Sequence, residues 1–357
     1  MRIFGLDILR ASAILLVLIG HLGHVGLLGN SYPMFLFGYF GVELFFVLSG
    51  FLIGQILIRE LLLKGFTFSS LKKFWINRWM RTLPLYYLVL IIRMVIDGSA
   101  THFLHFIFLQ NAQVIPEYDS SWFGESWSLA IEEYFYLSFP VLLFAASKLF
   151  KQVNTQMIAT LLLIFTSCLA FRVFTVISYP TLDFENDIRK FTFVRLDSLA
   201  VGVAFAFLKL QVNTIFKFLQ HRIVPVIALF VFLLLVGLGN ILVYDFEGIK
   251  LIPSTVGIIL NSLLLGFLLP YFDKIGKPKL DLPGSKWAFS FVHYTALFSY
   301  CLYLIHLPIY NLIIRSESVD IIWCIQMCAA VVILYALSAL SYRYFEQPIL
   351  EFRKRIS

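Results

Sequence analysis

The sequence has few charged residues and few cysteines, and these two shortages exclude most classes of soluble protein. Only 14% of its 357 residues are charged, whereas 60% are hydrophobic. A soluble domain is usually about half apolar and about a quarter charged. A single hydrophobic core cannot bury the additional apolar side chains of this sequence. The four cysteines all lie inside apolar segments, which argues against a disulfide framework. The composition therefore predicts an integral membrane protein.

The signatures of several other classes are also missing. No spacing of Cys and His suggests a metal site, so no metal is expected. The net charge of +7 would suggest nucleic acid only if the basic residues formed one surface, but they alternate with apolar runs. The first apolar run contains Asp7, Arg10 and His21 and lacks a clear cleavage site, so we predict a retained helix rather than a signal peptide. No internal repeat or low-complexity tract is visible.

Ten apolar segments approach the length of about 20 residues that a helix needs to cross a bilayer. The third is the shortest, and the segments run roughly 7–28, 35–58, 82–97, 125–147, 155–178, 193–210, 223–243, 251–272, 289–313 and 319–342. Glycines on the first two should let helices approach closely; they are Gly20, Gly23, Gly26, Gly38, Gly41, Gly50 and Gly54. The fold class predicted is an all-α bundle of about ten transmembrane helices, in a single domain over residues 1–357.

The basic residues predict the orientation of the chain. With a cytoplasmic N-terminus, 21 of the 28 Lys and Arg residues fall on the cytoplasmic side, as the positive-inside rule requires. The opposite loops are acidic or aromatic. Both termini are therefore expected to be cytoplasmic.

Two ionisable residues lie on the first predicted helix. Such a residue inside a membrane costs about 2.5–3.5 kcal/mol on insertion scales, so it suggests a polar cavity or a structural role. Arg10 and His21 are 11 positions apart, which places them on one helix face about 16 Å apart along its axis. Arg10, near the cytoplasmic mouth, could be only an anchor, and His21, deeper, only a packing residue. An imidazole can also act as general base or nucleophile.

Acidic residues lie in the second and fourth segments. Glu43 opens the second, and Glu132 and Glu133 are adjacent in the fourth. Adjacent helical side chains point about 100° apart, so at most one of the pair can face a given partner. A carboxylate from either segment could orient His21, as a carboxylate orients the imidazole of a hydrolase triad.

Further polar residues are candidates for a structural role or for a substrate path. Arg195 and Asp197 start the sixth segment, where a structural ion pair is the alternative. His306 and Tyr303 lie in the ninth segment, and the histidine is expected in the bundle interior. Trp127, with Trp122, ends a helix on the predicted outer side and could join an aromatic belt at the membrane interface or stack against a sugar.

A basic cluster precedes the third segment, in the predicted loop FWINRWMRTLPLYY. It consists of Lys72, Lys73, Arg78 and Arg81. The cluster could bind anionic lipid headgroups. It could instead clamp the phosphates of a nucleotide-bearing acyl donor, because arginine forks suit phosphate and pyrophosphate.

Seven segments, in this order, resemble the motifs of the membrane-bound acyltransferase-3 family of bacterial envelope glycan O-acyltransferases. Any one of these motifs alone is weak evidence, but all seven in this order are specific. Together they extend over nearly the whole chain. They are LDILRASAILLVLIGHLGH at 6–24, FGVELFFVLSGFLI at 40–53, RWMRTLPLYY at 78–87, SWSLAIEEYFYLSFP at 126–140, RLDSLAVG at 195–202, SYCLYLIH at 299–306 and SYRYFEQP at 341–348.

The resemblance implies a bundle of about ten helices in the bacterial cytoplasmic (inner) membrane. It implies transfer of an acyl group, commonly acetyl, from cytoplasmic acyl-CoA to a hydroxyl of a sugar or lipid-linked glycan. Acetyl-CoA would be a co-substrate, with no tightly bound cofactor. Some members carry a fused extracytoplasmic hydrolase-like domain; this sequence ends at Ser357, so we expect none, and transfer would be direct or through a partner.

The family's functional residues carry over onto matching positions. Arg10 and His21 match its first-helix pair, and Glu43 stands where Asp is frequent. Its basic motif and paired acids correspond to Arg78, Arg81, Glu132 and Glu133. The resulting hypothesis is that the phosphates of the donor bind near Arg10, Arg78 and Arg81 and that His21 carries out the acyl chemistry. The alternative is a transporter or flippase of a sugar or lipid-linked substrate, although no inverted repeat supports it; a silent sensor or partner subunit is a third possibility.

Overall fold

The computed structural model describes residues 3–22, 32–98, 102–112, 122–179, 184–245, 252–277, 284–315 and 321–356. Within these ranges the regular structure is helical and there is no β-strand. The α-helices are α1 (Phe4–Leu22), α2 (Tyr32–Lys64), α3 (Phe68–Asp97), α4 (Trp127–Leu149), α5 (Val153–Ser178), α6 (Leu196–Gln211), α7 (Asn213–Phe218), α8 (Ile223–Asp245), α9 (Ile258–Gly266), α10 (Leu268–Asp273), α11 (Ser285–Ile313), α12 (Ile321–Ser341) and α13 (Gln347–Ile356). Short 3-10 or π turns occur at Phe103–Ile107, Gly124–Ser126, Phe184–Arg189, Thr192–Val194, Pro253–Gly257 and Tyr342–Glu346.

Eight helical stretches in the described part of the chain are long and apolar enough to cross a membrane. They confirm an all-α integral membrane protein, although the prediction was about ten spans. The other two predicted segments, 193–210 and 223–243, correspond to α6 and α8. Helix α6 has 16 residues, or about 24 Å at 1.5 Å per residue, less than the hydrocarbon thickness of about 30 Å. Helix α8 has 23 residues, or about 34 Å at the same rise, so its length fits the predicted crossing.

The predicted start of the third segment, residue 82, is wrong. We expected a basic loop before residue 82, but α3 begins at Phe68 and contains the basic residues. The backbone N–H of Ser70 donates to Thr67 Oγ1 at 3.2 Å, a side-chain cap that starts the helix there. Pro84 lies inside α3, and proline is tolerated in membrane helices because neighbouring groups satisfy the freed carbonyl.

The helices form two compact units. The first comprises Met1–Val42, Lys73–Phe106 and Gly276–Ser357, and the second comprises Glu43–Lys72 and Ile107–Ile275. Helices α2 and α3 each continue from one unit into the other. In the first unit, α11 packs against both α1 and α12. Gly41 allows α2 to approach α1 there, since a Cβ at this position would lie 2.6 Å from the carbonyl oxygen of Ala13.

Helix α6 is the centre of the second unit. It packs against α4, α5 and α9, and α8 packs against α9. The backbones of α2 and α6 nearly touch, because a Cβ on Gly50 would lie 1.9 Å from the Leu199 carbonyl oxygen and one on Gly202 would lie 2.1 Å from the Val47 carbonyl oxygen. Small residues permit such crossings in membranes.

The prediction of close approach is thus confirmed at three of the glycines on α2, namely Gly41, Gly50 and Gly54. It is wrong at Gly38, where a Cβ would meet nothing within 4 Å. Gly23 and Gly26 lie outside the described residues.

Candidate functional site

Two histidines meet in the first unit. Helix α11 carries Tyr303, His306 and Tyr310 at spacings of three and four, so they share one face. His306 Nε2 lies 3.1 Å from His21 Nδ1, and the ring centroids are 4.9 Å apart. The hydroxyl of Tyr310 donates to the Leu18 carbonyl at 3.4 Å and ties α11 to α1 one turn before His21.

The surroundings of the two imidazoles differ. His306 is completely buried, and its Nδ1 lies 2.7 Å from the Tyr303 carbonyl oxygen. His21 is half-buried at the end of α1, and its Nδ1 lies 3.0 Å from the Val17 carbonyl oxygen. The buried His306 therefore contacts His21, which is the more accessible of the two histidines.

Arg10 and His21 both belong to α1, which is continuous from Phe4 to Leu22. Eleven residues of helix separate them by about 16 Å. Arg10 is half-buried. The structure therefore confirms that one helix carries both residues.

Glu43 lies in a buried polar cluster of the second unit. Its Oε1 forms an ion pair with Arg195 Nη2, and both side chains are almost entirely inaccessible to solvent. Ser262 Oγ is a hydrogen-bond donor to Glu43 Oε2 at 3.1 Å and lies 2.9 Å from Ser198 Oγ. A paired charge costs far less to bury than an isolated one, because its partner replaces part of the lost hydration.

Asp197 forms a second buried pair in the same unit. Arg172 of α5 donates to Asp197 Oδ2 at 2.5 Å and also to the Val194 carbonyl. The sequence predicted an ion pair as one role for Arg195 and Asp197, but their partners, Glu43 and Arg172, are visible only in the structure. Together the four side chains carry two positive and two negative charges, which balances this buried region.

A chain of hydrogen bonds joins α2 and α4. The Tyr136 hydroxyl donates to Glu132 Oε2, since a carboxylate only accepts. The Ser49 hydroxyl, 2.5 Å from the same phenol oxygen, is then the donor to it. Tyr136 is fully buried, whereas Ser49, Glu132 and the neighbouring Glu133 are half-buried. Sequence reasoning missed Ser49 and Tyr136, although Tyr136 follows Glu132 by one helical turn.

Trp127 is an interior residue of the second unit. Only 6% of it is exposed, its ring meets Phe46 edge-on, and the Arg189 guanidinium lies 4.7 Å from its ring centroid. The prediction that Trp127 joins an aromatic belt at the membrane interface is therefore wrong. Its position at the first turn of α4 resembles that of a belt residue in sequence, but neighbouring helices cover it.

The basic residues of α3 lie on a helix rather than in a loop. Arg78 and Arg81 are three positions apart and share one face. Lys73 and Arg81 are exposed, and Arg78 is half-buried. Arg353 Nη1 donates to the Asn77 carbonyl at 3.0 Å, which places the basic end of α13 against this part of α3. Sequence analysis did not predict that contact.

The candidate residues fall into two sets. The first unit contains Arg10, His21, Lys73, Arg78, Arg81, Tyr303 and His306, and the second contains Glu43, Trp127, Glu132, Glu133, Arg195 and Asp197. The proposed orientation of His21 by one of the three glutamates stays a prediction. Across the described ranges, no group of three or more His, Cys, Asp or Glu side chains could hold a metal ion.

These helices and buried charges define a polytopic membrane protein with polar groups held between its helices. Residues 3–343 match the acyltransferase-3 family, described as an acyltransferase domain. The chain therefore belongs to this family.

Similar proteins come from Staphylococcus aureus. The chain is 35% identical over 161 residues to a protein of strain COL provisionally named an O-acetyltransferase. The aligned region covers 39% of this chain and 24% of that protein. It is 32% identical over 221 residues to O-acetyltransferase OatA of strain NCTC 8325 / PS 47, covering 57% of this chain and 34% of OatA. The matches thus span about a quarter to a third of the length of these curated relatives. No solved structure matches the chain.

Proposed function

We propose that the protein moves an acetyl group from acetyl-CoA to a hydroxyl of a cell-envelope or exported glycan. The family and the O-acetyltransferase names of the relatives support the reaction class. The observation that supports the catalytic centre is His21, accessible at the end of α1 and hydrogen-bonded to buried His306. An imidazole is suited to proton transfer or to nucleophilic attack near neutral pH.

The donor would bind from the cytoplasmic side through its phosphates. Arg78 and Arg81 share a face of α3, and Lys73 lies on the same helix. Guanidinium forks bind phosphate and pyrophosphate oxygens in two-point contacts. Arg10 would meet the donor nearer to the thioester, since its helix also carries His21.

The transfer step balances in either of two forms. In the first, His21 removes the proton of the acceptor hydroxyl, the oxygen attacks the thioester carbonyl, and CoA leaves as the thiolate and takes up the proton. In the second, His21 attacks the thioester itself and CoA leaves as the thiolate. The acceptor hydroxyl then displaces the imidazole from the acyl carbon, and the hydroxyl proton passes to the thiolate. Both need the same side chain at the same place.

The proposed setting is the cytoplasmic membrane of a bacterium, with both termini in the cytoplasm and membrane lipids around the helices. The acceptor is proposed to be a glycan or a lipid-linked sugar. A role for Glu43, Glu132 or Glu133 in orienting His21 belongs to the same proposal. Variants of these glutamates would need membrane levels equal to wild type before activity is compared.

The test is acetyl transfer by purified protein in lipid nanodiscs, with radiolabelled acetyl-CoA and membrane glycan as acceptor. We expect CoA release and labelled glycan, and a loss of about 10²-fold or more for His21→Ala, the usual range for a general base. The exposed histidine variant His221→Ala is the matched control and should keep full activity. Full activity of His21→Ala would refute the catalytic role. Sugar uptake by the protein in sealed proteoliposomes, without CoA release, would instead favour a transporter.

A further inference from the structure

The hydrogen bonds around the two histidines determine where their protons lie. The Tyr303 carbonyl oxygen can only accept, so His306 Nδ1, 2.7 Å away, must carry a proton. In a neutral imidazole the other nitrogen then has the lone pair. His306 Nε2 therefore presents an acceptor to His21.

The same logic applies to His21. Its Nδ1 lies 3.0 Å from the Val17 carbonyl oxygen and 3.1 Å from His306 Nε2. Both neighbours are acceptors, so His21 Nδ1 carries the proton and shares it between them. A doubly protonated His306 would instead force a lone pair of His21 against the Val17 oxygen, which is unfavourable.

We infer that His306 is a positioning residue that holds His21 as the Nδ1–H tautomer, so that His21 reacts through Nε2. The inference rests on the proposed role of His21 in acyl transfer. Whether His21 is base or acyl carrier, its Nε2 has the reacting lone pair. When Nε2 takes the proton or the acyl group, the positive imidazole still donates from Nδ1 to His306.

His306 thereby fills the place that a carboxylate fills in a hydrolase triad. A neutral imidazole is a weaker acceptor than a carboxylate, so its removal should cost less than the loss of a triad aspartate. Its complete burial and its bond to Tyr303 fix the ring in one orientation. Tyr310 adds rigidity through its bond to Leu18 of α1.

Three substitutions at one position test the inference. His306→Leu keeps the volume and removes the acceptor. His306→Gln can place an amide oxygen near the former Nε2, whereas the shorter amide in His306→Asn reaches only the former Nδ1. We expect kcat to fall about tenfold in the Leu and Asn variants, the scale of one neutral hydrogen bond, with the KM for acetyl-CoA nearly unchanged and most of kcat recovered by Gln.

A direct readout of the tautomer separates positioning from a merely structural role. Nitrogen-15 NMR of histidine-labelled protein in nanodiscs should show His21 protonated at Nδ1, with its signals assigned by their loss in His21→Ala. In His306→Leu the His21 nitrogen shifts should move, and His306→Gln should return them toward wild type. The inference would be overturned if the Leu, Asn and Gln variants of His306 all had the same kcat. It would also be overturned if the wild-type protein carried the His21 proton on Nε2.

The two proposals can fail separately. If His21→Ala is inactive while His306→Leu keeps full kcat, only the positioning role fails. If His21→Ala is active, the proposed role of His21 fails whatever the tautomer is. A double variant should be no slower than His21→Ala alone, because His306 acts through His21.

Discussion

Buried charge is the main feature of this protein at the scale of single residues. Glu43 and Arg195 are paired with almost no exposure, although 152 positions separate them. Such a pair contributes little net stability compared with apolar residues, but removing one partner leaves the other charge buried alone. Ser262 adds a hydrogen bond to the same carboxylate.

Substitution of Glu43→Gln should therefore destabilise the fold. We expect a loss of about 3–5 kcal/mol in the free energy of unfolding, the usual effect of leaving a buried charge unpaired. The midpoint of thermal unfolding in detergent measures it, with exposed Glu351→Gln as the control. The double variant with Glu43→Gln and Arg195→Met should recover part of the loss. A stable but inactive Glu43→Gln protein would instead assign the carboxylate to catalysis.

His21 and His306 are a second pair of polar side chains that meet although they are far apart in the sequence. Both side chains are candidates from the sequence because each is polar within an apolar segment. A carboxylate partner for His21 stays a prediction, and the structure adds an imidazole on α11 as a hydrogen-bond partner. The composition of a segment reveals that a polar side chain needs a partner, but not which residue supplies it.

At the scale of helices, the crossing of α2 and α6 depends on two glycines. Gly50 and Gly202 leave room for backbone contact that any side chain would block. The atoms in the way are the carbonyl oxygens of Leu199 and Val47, which cannot move like the end of a flexible side chain. Close crossings of this kind replace the hydrophobic effect as a source of helix association in lipid.

Gly50→Ala should push these helices apart. Forcing a methyl group into a packed crossing costs about 1–3 kcal/mol, and the backbone clash favours the upper end. Gly38→Ala on the same helix is a matched control, because it has open space and alanine favours helix by up to about 1 kcal/mol. Thermal unfolding of the two variants should shift in opposite directions. Equal midpoints would show that the crossing tolerates the methyl group.

Helix boundaries were the least predictable feature at this scale. Hydropathy placed the start of α3 at residue 82 because the preceding residues are basic and polar. The Thr67 cap and the buried side chains of Leu71 and Phe74 extend the helix to Phe68. Hydropathy measures preference for lipid, and a helix can continue beyond the lipid wherever its backbone is capped and its apolar side chains are covered.

At the scale of the whole molecule, the family match extends across both compact units, since it covers residues 3–343. The ten predicted crossings are an even number, which places both termini on one side of the membrane. The distribution of Lys and Arg predicts that this side is the cytoplasm. Sequence alone supports the orientation.

Reporter fusions measure that orientation. Green fluorescent protein fused after Ser357 should fluoresce, and alkaline phosphatase at the same point should be inactive, because phosphatase folds only outside the cytoplasm. Phosphatase inserted between the third and fourth predicted segments, near Glu117, should be active. Active phosphatase at Ser357 would contradict the predicted topology. Immunoblots should first establish equal amounts of each fusion.

The sequence by itself determined the class, the helical architecture and most of the polar residues worth testing. It could do so because a bilayer requires apolar helices of defined length, so each buried charge stands out locally. Only the tertiary structure decided which polar groups meet: His21 with His306 across 285 positions, Glu43 with Arg195 across 152, and Ser49 with Tyr136 across 87. Membrane helices are apolar on nearly every face, so their hydrophobic pattern carries little information about which faces pack together.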